Sequence, residues 1–121
     1  MQFYLPSNPQ ACTFFGGQYV VPVSVKDTGE DVDNTLCYAY AVLARVYPAG
    51  QDPGQQIPGN ATALQQVDAQ NHIWQADGVP AAQCSQSGSA NTLYVWARYQ
   101  KPGMPPVFKD VRHSYNFQGT C

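Results

Sequence analysis

An all-β chain, folded as a two-layer antiparallel sandwich of immunoglobulin-like or jelly-roll-like type, follows from three features of this sequence. Tyr, Val, Thr, Pro and Gly are plentiful, while fourteen Gln stand against one Glu and three Lys. That balance starves surface helices and favours short strands joined by tight turns. Turn signals recur roughly every ten residues and separate about seven to nine strand-like runs. Residues 35–47, Thr-Leu-Cys-Tyr-Ala-Tyr-Ala-Val-Leu-Ala-Arg-Val-Tyr, are apolar on both period-two faces until Arg45. A strand with one wet face alternates apolar with polar, so this run belongs in the middle of a sheet with cover on both sides. At 121 residues the chain (1–121) makes a single domain.

Taken in order, residues 2–5 are a short extended piece that could pair with a neighbour's edge, and residues 10–15 a second one. Residues 18–26 alternate Tyr19, Val21, Val23 and Val25 against Val20, Pro22, Ser24 and Lys26. Pro22 cannot donate to a ladder, which calls for an edge position or a bulge. Residues 27–34 form an acidic turn into the central strand, and 48–61, rich in Pro and Gly, the longest loop. A hairpin over 62–67 and 72–76, turning at Asp68-Ala69-Gln70-Asn71, comes next and ends at Asp77-Gly78. Residues 92–100 place Leu93, Val95, Ala97 and Tyr99 on one face, with Tyr94, Trp96 and Arg98 on the other. A turn near Gly103 returns the chain as a last strand over 106–118. Val42-Leu43-Ala44-Arg45 is echoed by Val95-Trp96-Ala97-Arg98, which marks two central strands in similar surroundings.

Cys12, Cys37, Cys84 and Cys121 show no metal-ligand spacing. An even count in a small chain of this composition is expected to form two disulfides, in an extracellular or periplasmic setting or on a cell or virion surface. Cys84 and Cys121 lie nearly equidistant from the turn near Gly103, which favours Cys84–Cys121 and leaves Cys12–Cys37; the other two connectivities stay open. Met1-Gln2-Phe3-Tyr4 has neither a basic start nor a long apolar stretch, so the chain is expected to be a mature form whose export signal has been removed. Oxidation after release from a reducing cytoplasm is the alternative.

Charged residues make up 12%, about half the usual share, and the net charge is −2. The six cations are dispersed, so neither nucleic acid nor an anionic membrane surface is an expected partner, and no run is long enough for insertion.

Four constellations bear on chemistry. Tyr38, Tyr40, Trp74, Tyr94, Trp96 and Arg98 are the candidate ligand-binding residues, since flat rings on a sheet stack on sugars or anchor a protein partner. A second core layer is the plainer reading of the same rings. Asp27, Glu30, Asp31 and Asp33 could supply oxygens to a Ca²⁺ ion, although EF-hand spacing is absent and a solvated acidic turn is the plainer reading. His72, Glu30 and Arg98 are formally enough for a small secreted hydrolase or ribonuclease, but no spacing draws them together. No resident cofactor is expected. Asn60-Ala61-Thr62 is a glycosylation sequon that has meaning only in a eukaryotic secretory pathway. The expected role is non-catalytic: a surface module for protein–protein assembly or adhesion, as in a filament, virion or cell-surface subunit. A carbohydrate-binding module using the Tyr/Trp face, with or without calcium, is the second expectation.

Overall fold

The computed structural model describes residues 3–4, 13–15, 18–48, 50–80 and 89–119, with side chains over 20–48, 50–80 and 91–116. The β-branched and aromatic runs there become strands, and none of the described residues is helical. In chain order the strands are β1 (Phe3–Tyr4), β2 (Thr13–Phe15), β3 (Gln18–Asp27), β4 (Glu30–Val32), β5 (Thr35–Cys37), β6 (Ala41–Pro48), β7 (Thr62–Ala63), β8 (Gln65–Asp68), β9 (Ile73–Pro80), β10 (Ser89–Lys101) and β11 (Val107–Gly119). One antiparallel sheet runs β1-β3-β9-β8, with β2 also on β3; a second runs β11-β10-β6-β7; β4 and β5 form a separate hairpin. The extended piece at Phe3-Tyr4 pairs at home, opposite Asp27 and Lys26.

Both larger sheets and the hairpin contribute to one apolar cluster. Val21, Val23, Val25, Trp74 and Val79 enter from the first sheet, and Val42, Ala44, Val46, Leu93, Val95, Ala97 and Tyr99 from the second. Val42 lies opposite Ala97, Ala44 opposite Val95 and Val46 opposite Leu93, so the repeated Val-x-Ala pattern belongs to two neighbouring central strands facing one core. Val32, Cys37 and Ala39 close the cluster from the hairpin side.

Three local devices set these faces. Pro22 sits where the β3–β9 register shifts, and Asp77 and Gly78 together oppose it. The extra residue on β9 turns both Ala76 and Val79 inward, as a bulge must. A Cβ at Gly78 would come within 3.1 Å of the Val20 side chain, so any larger residue there would have to push Val20 aside by a few tenths of an ångström. The strand therefore runs through Asp77-Gly78 to Pro80 instead of ending at that pair.

Asp33 and Asn34 take positive φ values of 50° and 64°, the backbone of a two-residue hairpin turn, and they fold the acidic segment into β4–β5. Leu64, buried, then carries the chain from one sheet to the other: Thr62 and Ala63 pair with β6, while Gln65 onward pairs with β9. The following turn is held by the Asp68 carboxylate, which accepts from the Asn71 backbone and side-chain nitrogens.

The run 35–47 does not form one strand. It pairs as β5, breaks over 38–40, and resumes as β6. The buried positions change phase across the break, from Cys37 and Ala39 to Val42, Ala44 and Val46. β6 is central, between β10 and β7, as expected of this segment. Lys101 opposite Val107 centres the last hairpin on Met104, one residue from the expected turn.

Candidate functional site

A buried carboxylate at the end of β3 organises the candidate site. Asp27 is 1% exposed, and its oxygens accept from the Gly29 amide (2.9 Å), the Ala39 amide (2.7 Å) and the Tyr99 hydroxyl (2.8 Å). The Asp27 amide donates to the His72 carbonyl at 2.9 Å. A buried charge persists only when donors surround it, and these come from three separate segments. The Ala39 bond also explains the broken strand, because that amide is taken by a side chain. Burial, reinforced by Asp27, raises the Tyr99 pKa well above its ordinary value of 10.0, so the phenol stays a donor.

The two segments pinned by Asp27 meet above it. Tyr38 and His72 stack face to face, with ring centroids 3.6 Å apart and planes 4° from parallel. His72 holds this place with a φ of 56°. Gly29 lies beneath: a Cβ there would stand 2.7 Å from the end of Leu36 and 3.3 Å from the Tyr38 ring. Leu36 (64%), Tyr38 (42%) and Tyr40 (50%) stay open to solvent although each is large and apolar. Residues 36–40 thus carry three of the seven exposed large hydrophobic residues described, in one short segment.

The other expected platform is covered. Tyr94 and Trp96 share the outer face of β10, and Trp96 is 0% exposed. The loop after β6 is tied across this face: Tyr94 donates to the Gln51 carbonyl, Arg112 to Asp52 (2.6 Å) and the Gly54 carbonyl (2.8 Å), and Arg45 to the Asn60 carbonyl (3.2 Å). Arg112 also lies over the Tyr94 ring, 4.9 Å from its centre. Trp74 is buried in the inner cluster, and Arg98, exposed, stands 3.5 Å from Asp110. The six aromatic and arginine positions therefore divide between a core, a covered layer and an exposed ledge; only Tyr38 and Tyr40 present open rings.

The acidic turn is likewise divided. Glu30 accepts from Lys109 (2.9 Å), Asp33 from Lys101 (3.3 Å), and Lys109 also reaches the Asp31 carbonyl. No group of three or more His, Cys, Asp or Glu that could hold a metal forms among the described residues. Nor do His72, Glu30 and Arg98 converge by any described contact: His72 stacks on Tyr38, Glu30 pairs with Lys109 and Arg98 with Asp110. A groove of about 340 Å³ beside β7, β8 and β9 is lined mainly by Thr62, Gln65, Val67, Gln75 and the lone carboxylate of Asp77. Cys37 is buried and forms no disulfide with another described residue; Cys12, Cys84 and Cys121 lie outside the described residues, as do both expected pairings.

Sequence reasoning named Tyr38 and Tyr40 as ligand-binding candidates and His72 only for a hydrolase; it did not single out Leu36 or the stacking of Tyr38 on His72. The positive φ at His72 carries no mark in the sequence beyond a preceding turn-forming Asn71. No family model, no curated protein and no solved structure matches this chain.

Proposed function

We propose that the chain is a non-catalytic extracellular or surface module that acts in protein–protein assembly or adhesion through the Leu36–Tyr38–His72 ledge. In this reading the two larger sheets close on their shared cluster as a two-layer sandwich. The four cysteines form two disulfides, which would stabilise the chain by about 2–4 kcal/mol each in an oxidising compartment. The carrying observation is the ledge itself: Leu36, Tyr38 and Tyr40 lie exposed within one short segment, and Tyr38 is stacked on His72 and still open. A pre-stacked ring loses little rotamer freedom on contact, which is what an anchor for a partner requires.

A second reading has one observation in its favour. The flat, half-open Tyr38 ring has the geometry for stacking on a sugar, so a glycan is the alternative ligand. The platform would then be Tyr38 and Tyr40 in place of Trp96. The test is a double variant, Leu36→Ser with Tyr38→Ser, compared with the wild type for binding of labelled protein to cell surfaces and to a glycan array. Circular dichroism serves as the folding control. Binding to cells reduced at least about tenfold is expected. Unchanged binding by the folded variant would remove the ledge from the proposal, and loss confined to the array would favour the glycan.

A further inference from the structure

The groove where the chain crosses from one sheet to the other has a chemistry of its own. It measures about 340 Å³, at the lower end of the volumes that hold small ligands. Thr62 of β7, Gln65 and Val67 of β8, and Gln75 and Asp77 of β9 line it. Gln65 stands directly opposite Gln75 in the antiparallel ladder, so the two amides share one face of the sheet. Among the described residues, none of the four polar side chains in this set makes a hydrogen bond or ion pair. Elsewhere Asp27, Glu30, Asp33, Asp52, Asp68 and Asp110 each hold a donor or a cation, whereas the Asp77 carboxylate holds none.

We propose that this groove is a binding site for a neutral saccharide, with a pyranose ring seated between Gln65, Gln75 and Asp77. Each hydroxyl of a sugar is both donor and acceptor. A carboxylate accepts from two of them, and each Gln amide offers an acceptor and two donors, so the set matches a polyol and is wasted on an apolar ligand. Val67, 57% exposed on the same rim, supplies apolar contact for the C–H face of the ring. No Lys or Arg lines the groove, so a phosphate, sulfate or acidic sugar finds no counter-charge and meets the Asp77 carboxylate instead. With a single carboxylate the groove is also short of the charge on which tight calcium sites are built. No aromatic ring lines it either, so hydrogen bonds carry the recognition and the affinity for one sugar is weak. The groove shares no residue with the Leu36–Tyr38–His72 ledge, and this assignment does not depend on the ledge.

The experiment is an amide NMR titration of the isotopically labelled full chain with the methyl glycosides of glucose, galactose and mannose, each to about 50 mM. At least one should give saturable shifts with a Kd on the order of 1–10 mM, centred on Gln65, Gln75 and Gly78. Asp77→Asn keeps the shape and removes the charge, and should weaken that binding at least about tenfold; Gln65→Ala with Gln75→Ala should do the same. These three side chains are exposed and unbonded, so both variants should keep the fold, which circular dichroism checks. Absence of saturable shifts with every sugar overturns the proposal, as does binding that both variants leave unchanged. Shifts centred on Tyr38 and His72 instead would put the sugar on the ledge and equally overturn it. A tri-lysine peptide that shifts the groove amides when no sugar does overturns it in favour of a cationic peptide. The Leu36→Ser/Tyr38→Ser variant keeps the groove and should titrate as wild type does. Loss of ledge binding and loss of sugar binding are therefore separate outcomes.

Discussion

Asp27 shows how one side chain decides a local fold. Three donors converge on its carboxylate, and its own amide fixes the turn that carries His72. Tyr99→Phe removes one donor from an anion that keeps two backbone amides, and should cost about 1–3 kcal/mol. Asp27→Ala leaves the Gly29 and Ala39 amides and the Tyr99 hydroxyl without an acceptor, and should cost more than about 3 kcal/mol by the same reckoning. Urea unfolding measures both; equal losses for the two variants would mean that the backbone amides find other partners. The sequence marked Asp27 only as one acidic residue among several. Its burial was not legible, because the alternation that buries Val21, Val23 and Val25 continues onto an aspartate, and the hydroxyl that stabilises it lies seventy-two positions away.

At the scale of elements, the faces of β10 were legible and the break in 35–47 was not. Leu93, Val95, Ala97 and Tyr99 alternate with Tyr94, Trp96 and Arg98, and one set faces the shared core. In 35–47 nearly every position is apolar on both faces, so the pattern carries no phase and cannot show where the phase slips. A loop's path over a sheet is similarly silent. Residues 50–61, held by Arg112, Arg45 and Tyr94, supply cover to the outer face of the central strands at Tyr94 and leave Tyr38 and Tyr40 open. Arg112→Ala removes both loop contacts and the cation above Tyr94, so the strap should loosen while the inner cluster stays packed. Tryptophan emission should shift to the red and become accessible to iodide, with far-UV circular dichroism unchanged. Asp52→Asn, which keeps Arg112 over the ring and its bond to Gly54, should change emission little. If the two variants quench alike, the ion pair and not the arginine holds the strap.

For the whole molecule, few groups titrate, so its pH profile resolves into assignable steps. Burial holds His113 below its ordinary value of 6.5. The unfolded chain therefore binds a proton there more readily than the folded one, and stability rises with pH wherever that difference exists. The contribution is fully present above about pH 6.5 and is lost as pH falls from there towards the folded pKa. Asp52, bonded to Arg112, and Asp68, bonded to Asn71, are held below 3.8, and their smaller shares vanish only in stronger acid. On the alkaline side burial pushes Tyr115 up to about 12 and raises Tyr99 further, so the folded state keeps protons that the unfolded chain gives up near pH 10. Their contribution is complete below pH 10 and declines above it. Thermal or urea midpoints between about pH 4 and 11 should trace a plateau from roughly 6.5 to 10 with a fall on either side. His113→Gln should flatten the fall just below 6.5 and leave the alkaline limb alone, while Tyr115→Phe should soften the alkaline limb only. A single variant that moves both limbs would mean that the profile follows net charge rather than these buried groups.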